Sequence, residues 1–177
     1  MIPKEPVEHD PTGLQDALSE LLGVHVDLQE SAPQRYALRD IPNLAGPADS
    51  SAVAVYLRAA GVFQGQILLI LPPQSARRIG DLMLGPGKSS EHVLDACREL
   101  GNIVASRYLS RMADAIGGRA IPSTPLSTVD MAGAVISSVL QRASHDPVVH
   151  AIELRMQAAG DAIRGTVLVL QDQTSEA

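Results

Sequence analysis

The chain has 177 residues, a length that suits one domain with a sizeable core. Hydrophobic residues make up 45%, yet there is no Trp, one Phe and three Tyr, so the core is aliphatic and stacking platforms for single-stranded nucleic acid are scarce. A net charge of −6 also opposes a phosphate backbone, and nucleic acid is set aside as a partner.

Residues 1–13, MIPKEPVEHDPTG, carry three prolines and no apolar h-region; they read as a loose segment and not as a signal peptide. Leu14 to Gly23 reads as a short helix, with Leu14, Leu18, Leu21 and Leu22 on one side. Val24 to Leu28 alternates and reads as a strand, and residues 41–50, rich in Pro, Gly and Asp, as a loop. Strands at about 52–59 and 64–71 follow, joined as a hairpin around Gly61. Pro72-Pro73 stops the second strand, Gln74 to Leu84 reads as a helix, and Gly85-Pro-Gly breaks the chain. Residues 90–116 carry a long helical pattern that ends at Gly117-Gly118. A strand near 119–123, a helix over 128–143 and a last hairpin over 148–171 complete the chain. The apolar run at Ile67 to Leu71 is far too short to cross a bilayer, so no membrane insertion is expected. Cys97 is the only cysteine, which excludes an internal disulfide and fits a reducing, cytoplasmic setting.

The two halves resemble each other. Val53-AVYLRAAGVFQGQILLIL and Ala151-IELRMQAAGDAIRGTVLVL share a strand, an Ala-Gly turn, a Gly and a β-branched strand, with Gly65 and Gly165 at matching places. Upstream, ALSELLGVHV at 17–26 parallels YLSRMADAIGGRAI at 108–121. Two amphipathic hairpins can look alike by composition; the matched order of helix, strands and turns favours a duplication. The expected fold class is α+β, layered, with pseudo-twofold halves and a mainly antiparallel sheet packed with helices.

On a helix over 92–108, His92, Asp95, Glu99, Asn102 and Ser106 fall within one narrow stripe. Val93, Cys97, Leu100, Val104 and Tyr108 lie nearly opposite, so one face is buried and the other shown to solvent. Periodicity alone reads the polar stripe as an ordinary solvated face. Other signals are discounted. A cysteine phosphatase needs an Arg six residues after its nucleophile to cradle phosphate, and position 103 is Ile. Gly87-Lys88-Ser89 lacks the first Gly of a P-loop, since position 82 is Leu. His9, His25, His92, His145 and His150 are scattered without ligand spacing, and no metal or cofactor site is expected on this chain. Arg77-Arg78 reads as a solvated helix face.

Asp95-x-x-x-Glu99-x-x-Asn102, then twenty-two residues, then Pro125 resembles the signature of the CheC/CheX/FliY family of CheY-phosphate phosphatases. ELGNIVASRYLSRMADAIGGRAIPSTP and TVDMAGAVISSVL are also similar to that family's C-terminal half, and the resemblance spans residues 14–172, leaving 173–177 as a tail. It implies a CheC-like domain that removes the phosphoryl group from the aspartate of a phosphorylated CheY-type response regulator. By the same resemblance, Asn102 holds a water in line with phosphorus and Glu99 pairs with a lysine of the regulator. Asp95, Ser106 and Pro125 support the helix or shape the docking surface, and Mg²⁺ belongs to the regulator. Phosphoryl transfer asks for little else, because it rests on positioning and charge neutralisation.

The family often has a Gly four residues after its Asn, where this chain has Ser106, and often a second Glu-x-x-Asn in the first half, which is missing here. The chain also stops soon after its last strand, without the C-terminal helix of longer relatives. The runner-up reading is a non-catalytic CheC-like module that docks a regulator or a flagellar switch component. A homodimeric scaffold pairing through a sheet edge is the third. A CheD-like deamidase is a further candidate partner by the same resemblance.

Overall fold

A computed structural model describes residues 12–143 and 148–172. The expected loose segment up to residue 11, the tail 173–177, and His9 and His145 lie outside the described residues. Among the described residues no helix is long and apolar enough to cross a membrane.

Helix α1 (Thr12–Leu22) leads into β1 (Val26–Glu30) and β2 (Gln34–Ala37), then a 3₁₀ helix (Leu38–Ala45). Strands β3 (Ser51–Gly61) and β4 (Gly65–Leu71) form a hairpin, followed by α2 (Pro73–Leu84) and the long α3 (Ser90–Ile116). Strands β5 (Ala120–Pro122) and β6 (Leu126–Met131), helix α4 (Ala132–Ala143) and the hairpin β7 (Val148–Ala158) and β8 (Ile163–Gln171) complete the order. The strands make one sheet, β1-β7-β8-β4-β3-β5, with β2 also on β7 and β6 also on β3. Every pairing in it is antiparallel.

Helices cover both faces of the sheet. On one face α1, α2 and α3 pack Leu18, Ile79, Leu100 and Leu109 against Val55, Leu57, Ile67 and Leu154. On the other, α4 and the 3₁₀ helix pack Ile136, Leu140 and Ile41 against Ala54, Leu68 and Leu168. The α+β class and the antiparallel sheet of the sequence reading are thus present.

The duplication is visible in the pairing. At the centre of the sheet β4 meets β8, and Leu68 faces Leu168. Outward from there β3 mirrors β7, and the pair β5 and β6 on β3 mirrors the pair β1 and β2 on β7. Val26 and Ala120, first residues of β1 and β5, pair with Ala158 and Gly61, the last residues of β7 and β3.

Three expectations need correction. The helix expected over 128–143 begins at Ala132, and residues 126–131 are strand β6. Val129, Ile136 and Val139 share a helical phase, which extends the helical pattern backward. The partner strand decides instead: β6 pairs with β3 from Tyr56 to Ser51, and the Asp130 carboxylate accepts from the Met131 amide at 2.7 Å where the helix begins. Strand β2 was not expected, because Gln34-Arg-Tyr-Ala has no apolar alternation; its conformation comes from pairing with β7 and from Tyr36 packing on the core beside the 3₁₀ helix. Part of the expected loop 41–50 is the 3₁₀ helix, anchored by fully buried Ile41.

Candidate functional site

The candidate site lies on α3, and its position follows from how that helix is held. Ser89 caps the start, its Oγ accepting from the His92 amide at 3.4 Å and lying 2.8 Å from His92 Nδ1. Gly117, at φ 81°, ends the helix in the left-handed conformation that a side chain resists. Val93, Cys97, Leu100, Val104 and Tyr108 are all buried, as the period implied. Gly101 lets the helix sit directly on β3: a Cβ there would come within 2.8 Å of Val55 Cγ1. Arg77 of α2 donates to the Lys88 carbonyl at 2.8 Å and fixes the entry to α3. Near its other end Arg111 donates twice to the Glu30 carboxylate of β1, at 2.6 and 2.8 Å, and lies 5.0 Å above the Tyr108 ring.

On the opposite face Asp95 and Glu99 are exposed, one turn apart. Asn102 and Ser106 are only half-exposed, because α1 runs alongside the second half of the stripe. Together with Glu20, Leu21 and Arg107 they line an open groove of about 370 Å³ between the two helices. The stripe therefore consists of a free crest carrying Glu99 and a sheltered wall carrying Asn102. A half-sheltered amide can orient a water with both its donor and its acceptor while bulk solvent is partly excluded.

Asp95 forms an ion pair with Arg98, and Arg98 Nη1 donates to Ser127 Oγ of β6 at 2.9 Å. Pro125 is half-buried in the connection between β5 and β6, two residues from Ser127. Asp95 and Pro125 thus flank one link between α3 and β6. Arg98 was missed by the sequence reading; its signal was the i, i+3 spacing from Asp95. Cys97 is fully buried, and burial pushes its thiol up to about 11. Among the described residues no group of three or more His, Cys, Asp or Glu side chains is arranged to hold a metal ion.

No family model matches the chain. Among curated proteins it is 30% identical over 135 residues to the CheY-P phosphatase CheC of Bacillus subtilis, covering 72% of this chain and 65% of that protein. The chain thus spans less than two thirds of that relative's length. Among solved structures it is similar to FliY of Thermotoga maritima, with a TM-score of 0.70 at 16% identity, covering 89% of this chain and 82% of the other. The CheX–CheY–BeF₃–Mg²⁺ complex of Borrelia burgdorferi gives a TM-score of 0.59 at 15% identity, over 91% of this chain and 94% of the other. The FliM–SpeE complex of H. pylori gives 0.65 at 12% identity, over 90% and 80%. With the signature on α3, the sequence relative and the shared fold taken together, the chain belongs to the CheC/CheX/FliY family.

Proposed function

We propose that this chain hydrolyses the aspartyl phosphate of a phosphorylated CheY-type response regulator, with Asn102 and Glu99 as its working residues. The observation that carries this reading is their placement on a rigidly seated helix: Glu99 on the free crest, Asn102 one turn on in the wall of an open groove. Asn102 orients a water whose oxygen attacks phosphorus in line. The bond from phosphorus to the aspartyl oxygen breaks, the regulator's carboxylate leaves with the electron pair, and inorganic phosphate is released. Glu99 pairs with a regulator lysine and fixes the approach. The helix need supply only position and charge, because the regulator's own Mg²⁺ neutralises the phosphoryl oxygens. The metal is the partner's, and no cofactor is assigned to this chain. The name of the Bacillus subtilis relative and the CheX–CheY complex support the same partner.

A second reading, a binding module that docks a regulator or a flagellar switch component without turnover, is favoured by the likeness to FliM. The deciding experiment mixes the chain with candidate phosphorylated regulators and Mg²⁺ and follows phosphate release. Faster release than from the regulator alone, lost in Asn102→Ala, supports the phosphatase. Binding without any acceleration favours the module. A CheD-like deamidase as partner and a homodimer stay separate proposals, checked by pull-down with that deamidase and by solution mass.

A further inference from the structure

We infer that Arg98 is a positioning residue: it pins the start of β6, where the connection from β5 enters that strand, to α3 beside Glu99 and so fixes the surface on which the phosphorylated regulator closes. The inference rests on the functional reading above and adds a residue to it. Arg98 immediately precedes Glu99 and points to the other side of the crest. One arm of its guanidinium holds the Asp95 carboxylate, and the other donates to Ser127 Oγ at 2.9 Å. The same connection is tied at its far end to β3, where the Ser123 amide donates to the Arg58 carbonyl at 2.7 Å and Ser123 Oγ accepts from the Arg58 amide at 3.0 Å. Pro125 lies midway between the two ties and adds the stiffness of a fixed φ. β6 is an edge strand: it is held along its whole length by β3, and Leu126, Val129 and Met131 on it are exposed.

Two features argue for positioning over stability. The Asp95 and Arg98 side chains are 53% and 36% exposed, and an ion pair so open to water contributes little to folding. The planar fork reaches two acceptors at once, in a geometry that the single ammonium of Lys does not reproduce. A partner that seats on Glu99 must meet the segment around Pro125 next to it, so play in that segment weakens docking without touching the reacting centre.

The test measures three things on the full chain: affinity for a regulator loaded with beryllofluoride, turnover of the phosphorylated regulator, and backbone amide exchange at residues 123–128. Arg98→Met, which keeps the apolar stem, is expected to weaken affinity and raise KM about five- to tenfold with kcat within about twofold, as loss of preorganisation at an interface does. Amide exchange at 123–128 should speed up. Ser127→Ala should act in the same direction, the double variant should be no worse than the worse single because the link is shared, and Arg98→Lys should recover only part. Unchanged exchange at 123–128 in Arg98→Met overturns the positioning role by itself, whatever the activity. Unchanged affinity, a fall in kcat at constant KM, or full rescue by Arg98→Lys overturns it as well. If Arg98→Met lowers the thermal midpoint markedly, Ser127→Ala decides alone: weaker affinity supports the link, unchanged affinity sinks it. An unaltered chain that binds no regulator overturns the functional reading and the docking role together, whereas binding with no phosphate release overturns the phosphatase reading alone.

Discussion

Asn102 offers the sharpest contrast between chemistry and surface, because its amide is sheltered in the groove while the helix beneath it is held by other side chains. Asn102→Ala is expected to cut regulator dephosphorylation about a hundredfold or more, as removal of an orienting group at a reacting centre does. Folding should change by no more than about 1 kcal/mol, since no core contact is lost. Docking should survive. Turnover equal to that of the unaltered chain would sink the role given to Asn102. Glu99→Lys tests the other half: on the free crest it should weaken regulator binding about tenfold by facing one lysine with another, and titration of the regulator measures it. At this scale the buried stripe Val93, Cys97, Leu100, Val104 and Tyr108 was legible because 3.6-residue periodicity reports burial directly. The shelter that α1 gives Asn102 and the tie from Arg98 to Ser127 were not, since both join segments distant in sequence. Cys97 carries a pH prediction. Its thiol is neutral in both states below the ordinary value of 9.0, and burial holds the folded value up at about 11. Above pH 9 the unfolded chain gains the thiolate first, so stability falls as pH rises toward about 11, at about 1.4 kcal/mol per unit. Tyr108, also pushed up by burial, adds in the same direction at higher pH. Denaturation midpoints of Cys97→Ala should fall less steeply between pH 9 and 10, and an identical slope would remove Cys97 as the cause.

The element that decides the site is α3, and its fit against β3 turns on one glycine. Gly101 sits between Glu99 and Asn102 on the buried side, where an added Cβ would meet Val55 Cγ1 at 2.8 Å and Val55 Cβ at 3.2 Å. Gly101→Ala should gain about 1 kcal/mol of helix propensity but cost about 1–3 kcal/mol in overpacking against a β-branched neighbour with little freedom to turn. The net expectation is destabilisation by up to about 2 kcal/mol, with a fall in turnover as the helix lifts and carries both site residues with it. Urea midpoints and phosphate release measure the two effects; a stabilised and fully active variant would show that β3 yields. The long helices and central strands were readable because α2 and α3 carry strong periodicity and end at Gly85 and Gly117. The edges were not. Strands β2 and β6 earn their conformation from the hydrogen bonds of β7 and β3, and β2 also from Tyr36 packing on the core, not from an apolar alternation of their own; a helical phase shared by Val129 and Ile136 disguised β6 as the start of α4.

The whole molecule is two half-sheets sewn together, each lending its outer strands to the other half's hairpin. Gly23 and Gly117 end the corresponding helices α1 and α3, both with positive φ. The same offset carries Glu99 and Asn102 back to Glu5 and Glu8, which lie outside the described residues, so the sequence repeats the Glu but holds another acid in place of the Asn. Among the described residues the duplication left one candidate site, and one sheet with a packed core on each face. Leu68 and Leu168 mark the sheet's centre: they face each other across β4 and β8, both fully buried, against α4 and the 3₁₀ helix. Because cross-strand neighbours at that range share one packing volume, Leu68→Ala and Leu168→Ala should each cost about 2–5 kcal/mol. The double variant should depart from the sum of the two by about 0.5–3 kcal/mol, as neighbours that share a cavity do. Since β1 and β2 hang on β7 while β5 and β6 hang on β3, neither half can open without stripping strands from the other. Urea unfolding should therefore be a single transition for the unaltered chain and for each variant, with amide exchange in β3 and β7 reporting the same free energy. Two separated transitions, or exchange in β7 that falls while β3 stays protected in Leu168→Ala, would mean that the halves are independent units and that the seam at Leu68 and Leu168 does not bind them.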